Sequence, residues 1–410
     1  MMKKITALLM AMVMVFALCA CGNNNDDKKT DDGNKSASDI KVGFIFLHDE
    51  NSTYDLNFMN AAEAACKNLG LDESQYIFKK NIAEDQTCYD AAAELVDEGC
   101  NIIFADSFGH ESHIIEAAKE FKNVQFCHST GTLAHTENLP NYHNAFASIY
   151  EGRYLAGIAA GLKLNEMIAN GDFTADEAKM GYVGAFTYAE VISGYTSFFL
   201  GARSVCPSVT MDVTFTGSWY DETAEKEAAN TLIKNGCKLI SQHADSMGAP
   251  TACEFAGVPN VSYNGSTVKA CPNTFIVSSR IDWTPYYEYA IKAVMNGETI
   301  DTDWTGTLAT GSVVLTDVNE KAAAAGTAEA IADAKAKLED GSLKVFDITT
   351  FTVGGKQLDS YMADVDTDKD YTADTEVVKD GAFLESTYRS APYFDVQIDG
   401  ITLLDTNFGG

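Results

Sequence analysis

The feature that most constrains this chain is a regular alternation of short apolar runs with amphipathic segments, beginning at Lys41. KVGFIFL (41–47) is a near-continuous apolar run of strand length, the pattern of a strand buried on both faces. Between Ser52 and Leu69, Phe58, Ala61, Ala62, Ala65, Cys66 and Leu69 fall at helical spacing, and Gly70 stops the helix. YIFKK (76–80), a helix from Thr87 to Glu98, the strand NIIFAD (101–106), a helix from Glu111 to Phe121 and the strand VQFCHS (124–129) repeat the unit. Strand–helix units this regular predict a parallel sheet covered on both faces.

A second series follows. NAFASIY (144–150) leads into a helix from Glu151 to Met167, KMGYVGAF (179–186) into one from Glu190 to Val205, and TMDVTFTGSW (210–219) into one from Thr223 to Asn235. KLISQHA (238–244), NVSYN (260–264) and FIVSSRI (275–281) continue it, with a helix from Tyr286 to Met295. The expected fold is α/β, with two doubly wound lobes and a cleft between them, where small ligands bind. In the last part, GSVVLTD (311–317), VFDITTFTV (345–353) and FDVQIDGITLL (394–404) read as strands, and Glu320 to Glu339 as an Ala-rich helix. These are expected to cross back and finish the lobes, and several crossings make a hinge. The expected division is 39–147 for lobe 1, with parts of 280–345, and 148–279 for lobe 2, with parts of 346–410.

The N-terminus reads as an export signal. Lys3 and Lys4 precede an uncharged apolar run from Ile5 to Ala20, which is too short for a membrane span. Leu18-Cys19-Ala20-Cys21-Gly22 is a lipobox pattern, so 1–21 is expected to be a lipoprotein signal and Cys21 the lipid attachment site. GNNNDDKKTDDGNKSAS (22–38) has no apolar residue larger than Ala, and reads as a flexible tether. The expected location is extracytoplasmic, held at the cell membrane by the lipid alone. The net charge of −30 argues against nucleic acid as a partner, because a polyanion is repelled. Eight cysteines remain beyond Cys21; Cys66, Cys88, Cys100 and Cys237 sit among apolar or helical neighbours and there is no CxxC, so buried free thiols are expected.

Enzymatic signatures are missing. The turn after the first strand, His48-Asp49-Glu50-Asn51-Ser52, has no glycine for a phosphate cradle, and no GxSxG or Walker motif occurs. No catalytic residue and no cofactor are therefore expected. His110-Glu111-Ser112-His113 offers two nitrogens on a helix face, but it reads better as a polar helix start with Glu111 at the positive end of the dipole. Asp364, Asp366, Asp368 and Asp370 resemble a calcium loop, yet Lys369 and Thr375 stand where glycine and glutamate belong, and no metal site is assigned.

The strand ends are more informative, since ligands of open α/β sheets lie beyond the carboxyl ends. Those ends carry Asn51 and Tyr54, Asp106-Ser107-Phe108, Phe186, Ser218-Trp219, His243-Ala244-Asp245-Ser246 and Tyr263-Asn264. Aromatic faces stack on planar rings, and Asp and Asn read ring N–H groups or hydroxyls.

NSTYDLNF, FADSFG, YEGRYLAGIAAG, MGYVGAFTYAEVISGYTSFFLGAR, GSWYDETAEKEAA, ISQHADS, VSYNG and DWTPYYEYAIKAVMNG, in this order, resemble the basic membrane protein family of ABC-transporter solute-binding lipoproteins, the purine-nucleoside-receptor group. The resemblance runs from about Lys41 to about Val314. It implies a type I periplasmic-binding-protein fold that closes on a purine nucleoside, nucleobase or similar solute and hands it to a permease and an ATPase, as a monomer. It also implies a base held between aromatics and contacted by Asp or Asn. Asn51, Tyr54, Phe108, Trp219, Asp245 and Asn264 fall on the family's contact positions. Ser107, Phe186 and Trp283 complete the expected set. Ala61 stands in place of the family's glycine in the first helix, the Tyr263-Asn264 region in place of its ribose-side acid, and Ile281 near its lysine, beside Arg280. The alternative on the same fold is a ligand-sensing receptor for a sugar, an amino acid or a metal.

Overall fold

The computed structural model describes residues 40–365 and 369–405. The signal, the tether, Cys21 and the heart of the acidic loop (Asp366 and Asp368) lie outside the described residues.

From its start the chain runs β1 (Val42–Ile45), α1 (Thr53–Asn68), β2 (Tyr76–Lys79), α2 (Gln86–Asp97), β3 (Ile102–Ala105), α3 (Glu111–Glu120), β4 (Gln125–Ser129), α4 (Ala134–Glu137) and β5 (Tyr142–Ala147). It continues as α5 (Ile149–Asn170), β6 (Lys179–Gly184), α6 (Ala189–Val205), β7 (Thr210–Phe215), α7 (Glu222–Lys234), β8 (Leu239–Gln242), α8 (Gly248–Ala256), β9 (Asn260–Tyr263), β10 (Phe275–Ile281) and α9 (Thr284–Asn296). The last part holds β11 (Asp303–Gly306), β12 (Val313–Leu315), α10 (Thr327–Glu339), four two-residue strands β13 (Met362–Ala363), β14 (Thr375–Glu376), β15 (Val378–Lys379) and β16 (Ala382–Phe383), and β17 (Ile401–Leu403).

Two large sheets result. The first has the order β11-β5-β4-β3-β1-β2 and is parallel throughout. The second has the order β12-β10-β9-β8-β6-β7-β17, parallel except for the antiparallel edge β12. All four residues of β1 and of β3 are buried, as strands covered by helices on both faces must be. Helix starts follow side-chain chemistry. Ser52 caps α1 by accepting from Asp55 N, Asp85 caps α2 from Thr87 N, and Asp221 caps α7 from Ala224 N.

Helices α5 and α6 cross at backbone distance. A Cβ on Gly157 would lie 2.0 Å from the Phe198 carbonyl oxygen, and one on Gly201 would lie 2.0 Å from that of Tyr154. Only glycine permits this reciprocal approach, which seals the core of the second lobe.

The chain crosses between the lobes three times: into α5, from β10 to α9, and from β11 to β12. The crossings are knitted together. Ser148 N donates to Gly306 O at 2.8 Å, Asp282 N donates to Ser312 O at 2.6 Å, and Ile281 pairs with Val313.

The C-terminal part departs from expectation. VFDITTFTV forms no regular strand, only the bridges Asp347↔Ala382 and Val353↔Lys356. Its apolar side chains serve a local cluster instead, in which Phe346 stacks on Phe394 at 4.3 Å and Phe383 meets Phe394 edge-on at 4.7 Å. Of FDVQIDGITLL, only Ile401–Leu403 is strand, and it extends the second sheet beside β7. The Ala-rich helix starts at Thr327 rather than near Glu320, because Gly326 takes a left-handed conformation (φ 80°) and Asn319 Nδ2 is held by Pro272 O and Phe275 O. Strand β11, with the sequence DWTG, carries no strand-length apolar run and was not expected. The tail also reaches the first lobe, where Ser390 N donates to Asp303 Oδ2 of β11 at 2.7 Å.

The eight cysteines Cys66, Cys88, Cys100, Cys127, Cys206, Cys237, Cys253 and Cys271 are buried free thiols. Burial pushes the Cys66 and Cys237 thiols up to about 12, which keeps them inert. Among the described residues no helix is long and apolar enough to cross a membrane.

Candidate functional site

The carboxyl ends of both sheets face a common cleft. In this arrangement it leaves only a small free volume, about 20 Å³ open to the centre of a water-sized sphere. The first lobe contributes Leu47 and His48 after β1, Tyr54 and Asp55 from the first turn of α1, Ser107 and Phe108 after β3, and Thr130 after β4. The second lobe contributes Glu190 from α6, Trp219 after β7, His243 and Asp245 after β8, and Tyr263 at the end of β9.

Aromatic rings line the cleft from both sides. Phe108 reaches across the lobes to Tyr188, with ring centroids 5.1 Å apart, and His48 meets Tyr220 at 5.3 Å. Trp219 is braced by the edge of Phe186 at 5.0 Å, and Phe186 stacks on Tyr188 at 5.2 Å. Tyr54 is held by its hydroxyl, which donates to Asp106 O at 2.6 Å.

The carboxyl groups divide by environment. Burial pushes Asp55 up, but hydrogen bonds from His48 and Ser52 outweigh it and hold Asp55 below the usual carboxylate range. Burial, reinforced by the charge of Asp55, drives Asp106 far upward. Asp245 is likewise pushed well up, first by burial and then by Glu225, Asp55 and Glu190. Its Oδ1 accepts from Asn264 Nδ2 at 3.2 Å. Burial lowers His243, keeping its imidazole uncharged. Among the described residues none of those lining the cleft is Lys or Arg.

Of the expected site residues, Tyr54, Ser107, Phe108, Trp219 and Asp245 line this cavity together. Phe186 stands behind Trp219, and Asn264 stands behind Asp245, its φ of 64° turning the chain there. Asn51 does not reach the cavity. It precedes the cap residue Ser52, is exposed, and donates to Asp49 Oδ1 at 2.8 Å. Trp283 does not reach it either. It is 1% exposed and stacks on Phe58 at 4.5 Å in the core of the first lobe. His48, Asp55, Thr130 and Glu190 were not singled out from sequence. Thr130 directly follows β4, His48 lies in the turn after β1, and Asp55 and Glu190 lie in first helical turns, which is the signal that finds them. His110 is turned away from any metal role, with Nε2 2.9 Å from Ile82 O.

The family model described as ABC transporter substrate-binding protein, PnrA-like (Bmp), matches residues 44–345. The chain belongs to this family. A Bmp protein is thus an extracytoplasmic solute-binding component of an ABC transporter. Among curated relatives, a purine-binding protein of Brucella abortus is 32% identical over 261 residues, which are 63% of this chain and 69% of that one. A Haloferax volcanii protein, provisionally named as an ABC transporter glucose-binding protein, is 33% identical over 207 residues; the match spans 50% of this chain and only 49% of that protein's length. A solved structure of an ABC-transporter solute-binding protein from Aeropyrum pernix K1 superposes with a TM-score of 0.63 at 17% identity, covering 75% of this chain and 93% of that one. That likeness establishes the type I solute-binding fold of this Bmp chain.

Proposed function

We propose that this Bmp protein captures a purine nucleoside or nucleobase between its lobes and presents the closed form to an ABC permease and ATPase. The observation that carries the reading is the lining of the cleft: aromatic faces from both lobes, buried hydrogen-bonding groups, and no cationic side chain among the described lining residues. A neutral flat heterocycle satisfies such a site. A phosphate or carboxylate ligand would face Asp55 and Glu190 with nothing to neutralise it. Each lobe offers half the site, so bound solute stabilises the closed arrangement. The Brucella relative named for purine binding supports the same solute class. Closure takes place about the crossings, between a lobe of residues 39–147 with parts of 280–345 and a lobe of residues 148–279 with parts of 346–410. The protein works as a monomer tethered through a lipid on Cys21.

Thermal-shift and calorimetric titration of the protein with adenosine, inosine, guanosine, hypoxanthine, AMP and glucose tests this. Purine nucleosides or bases stabilise it in a concentration-dependent manner, and AMP binds about 100-fold more weakly and so stabilises it less at equal concentration. Stabilisation by glucose, with none by any purine, overturns the solute assignment. Loss of metabolic lipid labelling in Cys21→Ala tests the anchor.

A further inference from the structure

Behind the cleft lies a buried arginine that, among the described residues, has no carboxylate partner. Arg153 of α5 is 0% exposed, and its guanidinium sits 4.9 to 5.4 Å from the rings of Tyr263, Phe198 and Tyr182. Its Nη2 donates to Tyr182 Oη at 3.0 Å and to Ser241 Oγ at 3.0 Å. Tyr182 Oη in turn lies 3.3 Å from His243 Nδ1. On the far side of the imidazole, His243 Nε2 is buried, has no hydrogen-bond partner, and stands 3.5 Å from Glu190 Oε1. The cleft is lined by both His243 and Glu190.

Donor and acceptor rules fix the protons along this chain. A guanidinium can only donate, so Tyr182 Oη must accept from Arg153. The single phenolic proton then has one acceptor within reach, His243 Nδ1. A neutral imidazole that accepts at Nδ1 carries its proton on Nε2. The reverse tautomer would strand the tyrosine proton in an aromatic interior, at the cost of an unmade buried hydrogen bond. Gly194 of α6 leaves the room this pair needs, because a Cβ there would lie 3.0 Å from His243 Nδ1.

We propose that Arg153 and Tyr182 are positioning residues that lock His243 as its Nε2–H tautomer, so that His243 and Glu190 together present a donor beside an acceptor and select a heterocycle with an amide- or amidine-like edge. The 3.5 Å between the two atoms suits two parallel hydrogen bonds to neighbouring ring positions. The 6-oxo and 6-amino purines carry such an edge, whereas unsubstituted purine riboside lacks the donor. This rests on the purine reading above and narrows it.

Two measurements on the full chain test it. Long-range proton–nitrogen spectra of histidine-labelled protein, with His243 assigned through His243→Gln, read the tautomer without any ligand. A bare Nδ1 and a protonated Nε2 are expected, and the opposite tautomer or an imidazolium at pH 7 overturns the proposal. Titrations with inosine, adenosine and purine riboside then read selectivity. The wild type prefers the first two by about tenfold or more, and Tyr182→Phe mixes the tautomers and erases most of that preference while still binding purine riboside. An intact preference in Tyr182→Phe overturns the proposal. His243→Gln, whose amide restores a donor near the Nε2 position, retains part of the preference, and its failure to do so counts against His243 as the donor. If no purine binds wild type while the tautomer is as expected, the purine assignment fails and the relay stands.

Discussion

Thr53 of the first lobe and Asp245 of the second are joined twice: Thr53 N and Oγ1 both donate to the Asp245 carbonyl oxygen, at 3.1 and 3.0 Å. The structure is therefore a closed form, held beside the cleft by a contact that opening must break. Thr53→Val removes one of the two bonds. A net hydrogen bond contributes about 1 kcal/mol, so the variant should bind its solute about fivefold more weakly and populate a more open form, read by small-angle scattering.

Trp219 supplies the largest ring facing the cleft from the second lobe, and it is only partly buried. Trp219→Ala should reduce purine affinity by about tenfold or more, with a melting temperature of the solute-free protein close to wild type. Calorimetric titration and a thermal melt distinguish this from unfolding.

Asp245 and Asp55 carry opposite expectations. Burial pushes Asp245 toward its neutral form, and it accepts from Asn264 in a way asparagine can match, so Asp245→Asn should leave stability and affinity within about threefold of wild type. Asp55 is held ionised by His48, whose Nδ1 lies 3.4 Å from Oδ2. Asp55→Asn removes that charge and the acceptor it offers to His48 N and Ser52, and should both lower the melting temperature and weaken binding.

Burial lifts Glu151, Glu225 and Glu385 to about 7, from an ordinary 4.5. The folded state thus binds more protons than the unfolded one across that interval, and stability falls as pH rises through it. Burial drops His110 and His143 to about 4, from 6.5, which works in the opposite sense but is complete by pH 6.5. Stability should therefore decline between about pH 6.5 and pH 8. Glu385 is 2% exposed and accepts from Ser193 Oγ. Glu385→Gln should raise the melting temperature at pH 8 and change it little at pH 5.

Gly157→Ala places a methyl group against the Phe198 carbonyl at the α5–α6 crossing. Neither helix backbone can yield without opening the core, so a loss of about 3 kcal/mol or more is expected in chemical denaturation.

Much of the architecture was legible because burial on both faces leaves a plain mark. VGFI, IIFA and FIVSSRI announce their strands, and Gly70 and Ser52 bound their helix. What failed was where tertiary context decides. DWTG becomes β11 only because the exposed side of β5 offers an edge, and VFDITTFTV spends its apolar residues on a local cluster rather than a ladder. In the cleft, residues at strand ends could be named from the alternation alone. The inward turn of Glu190 and the outward turn of Asn51 depend on how the lobes meet, and Trp283, aromatic and beside a strand end, differs from Trp219 only in facing the core.

The three passages between the lobes are tied to one another by hydrogen bonds. A single proteolytic nick in any one of them would leave the halves associated and still able to clasp. If closure turns about these passages, a membrane partner that probes the outline tells the open shape from the shut one.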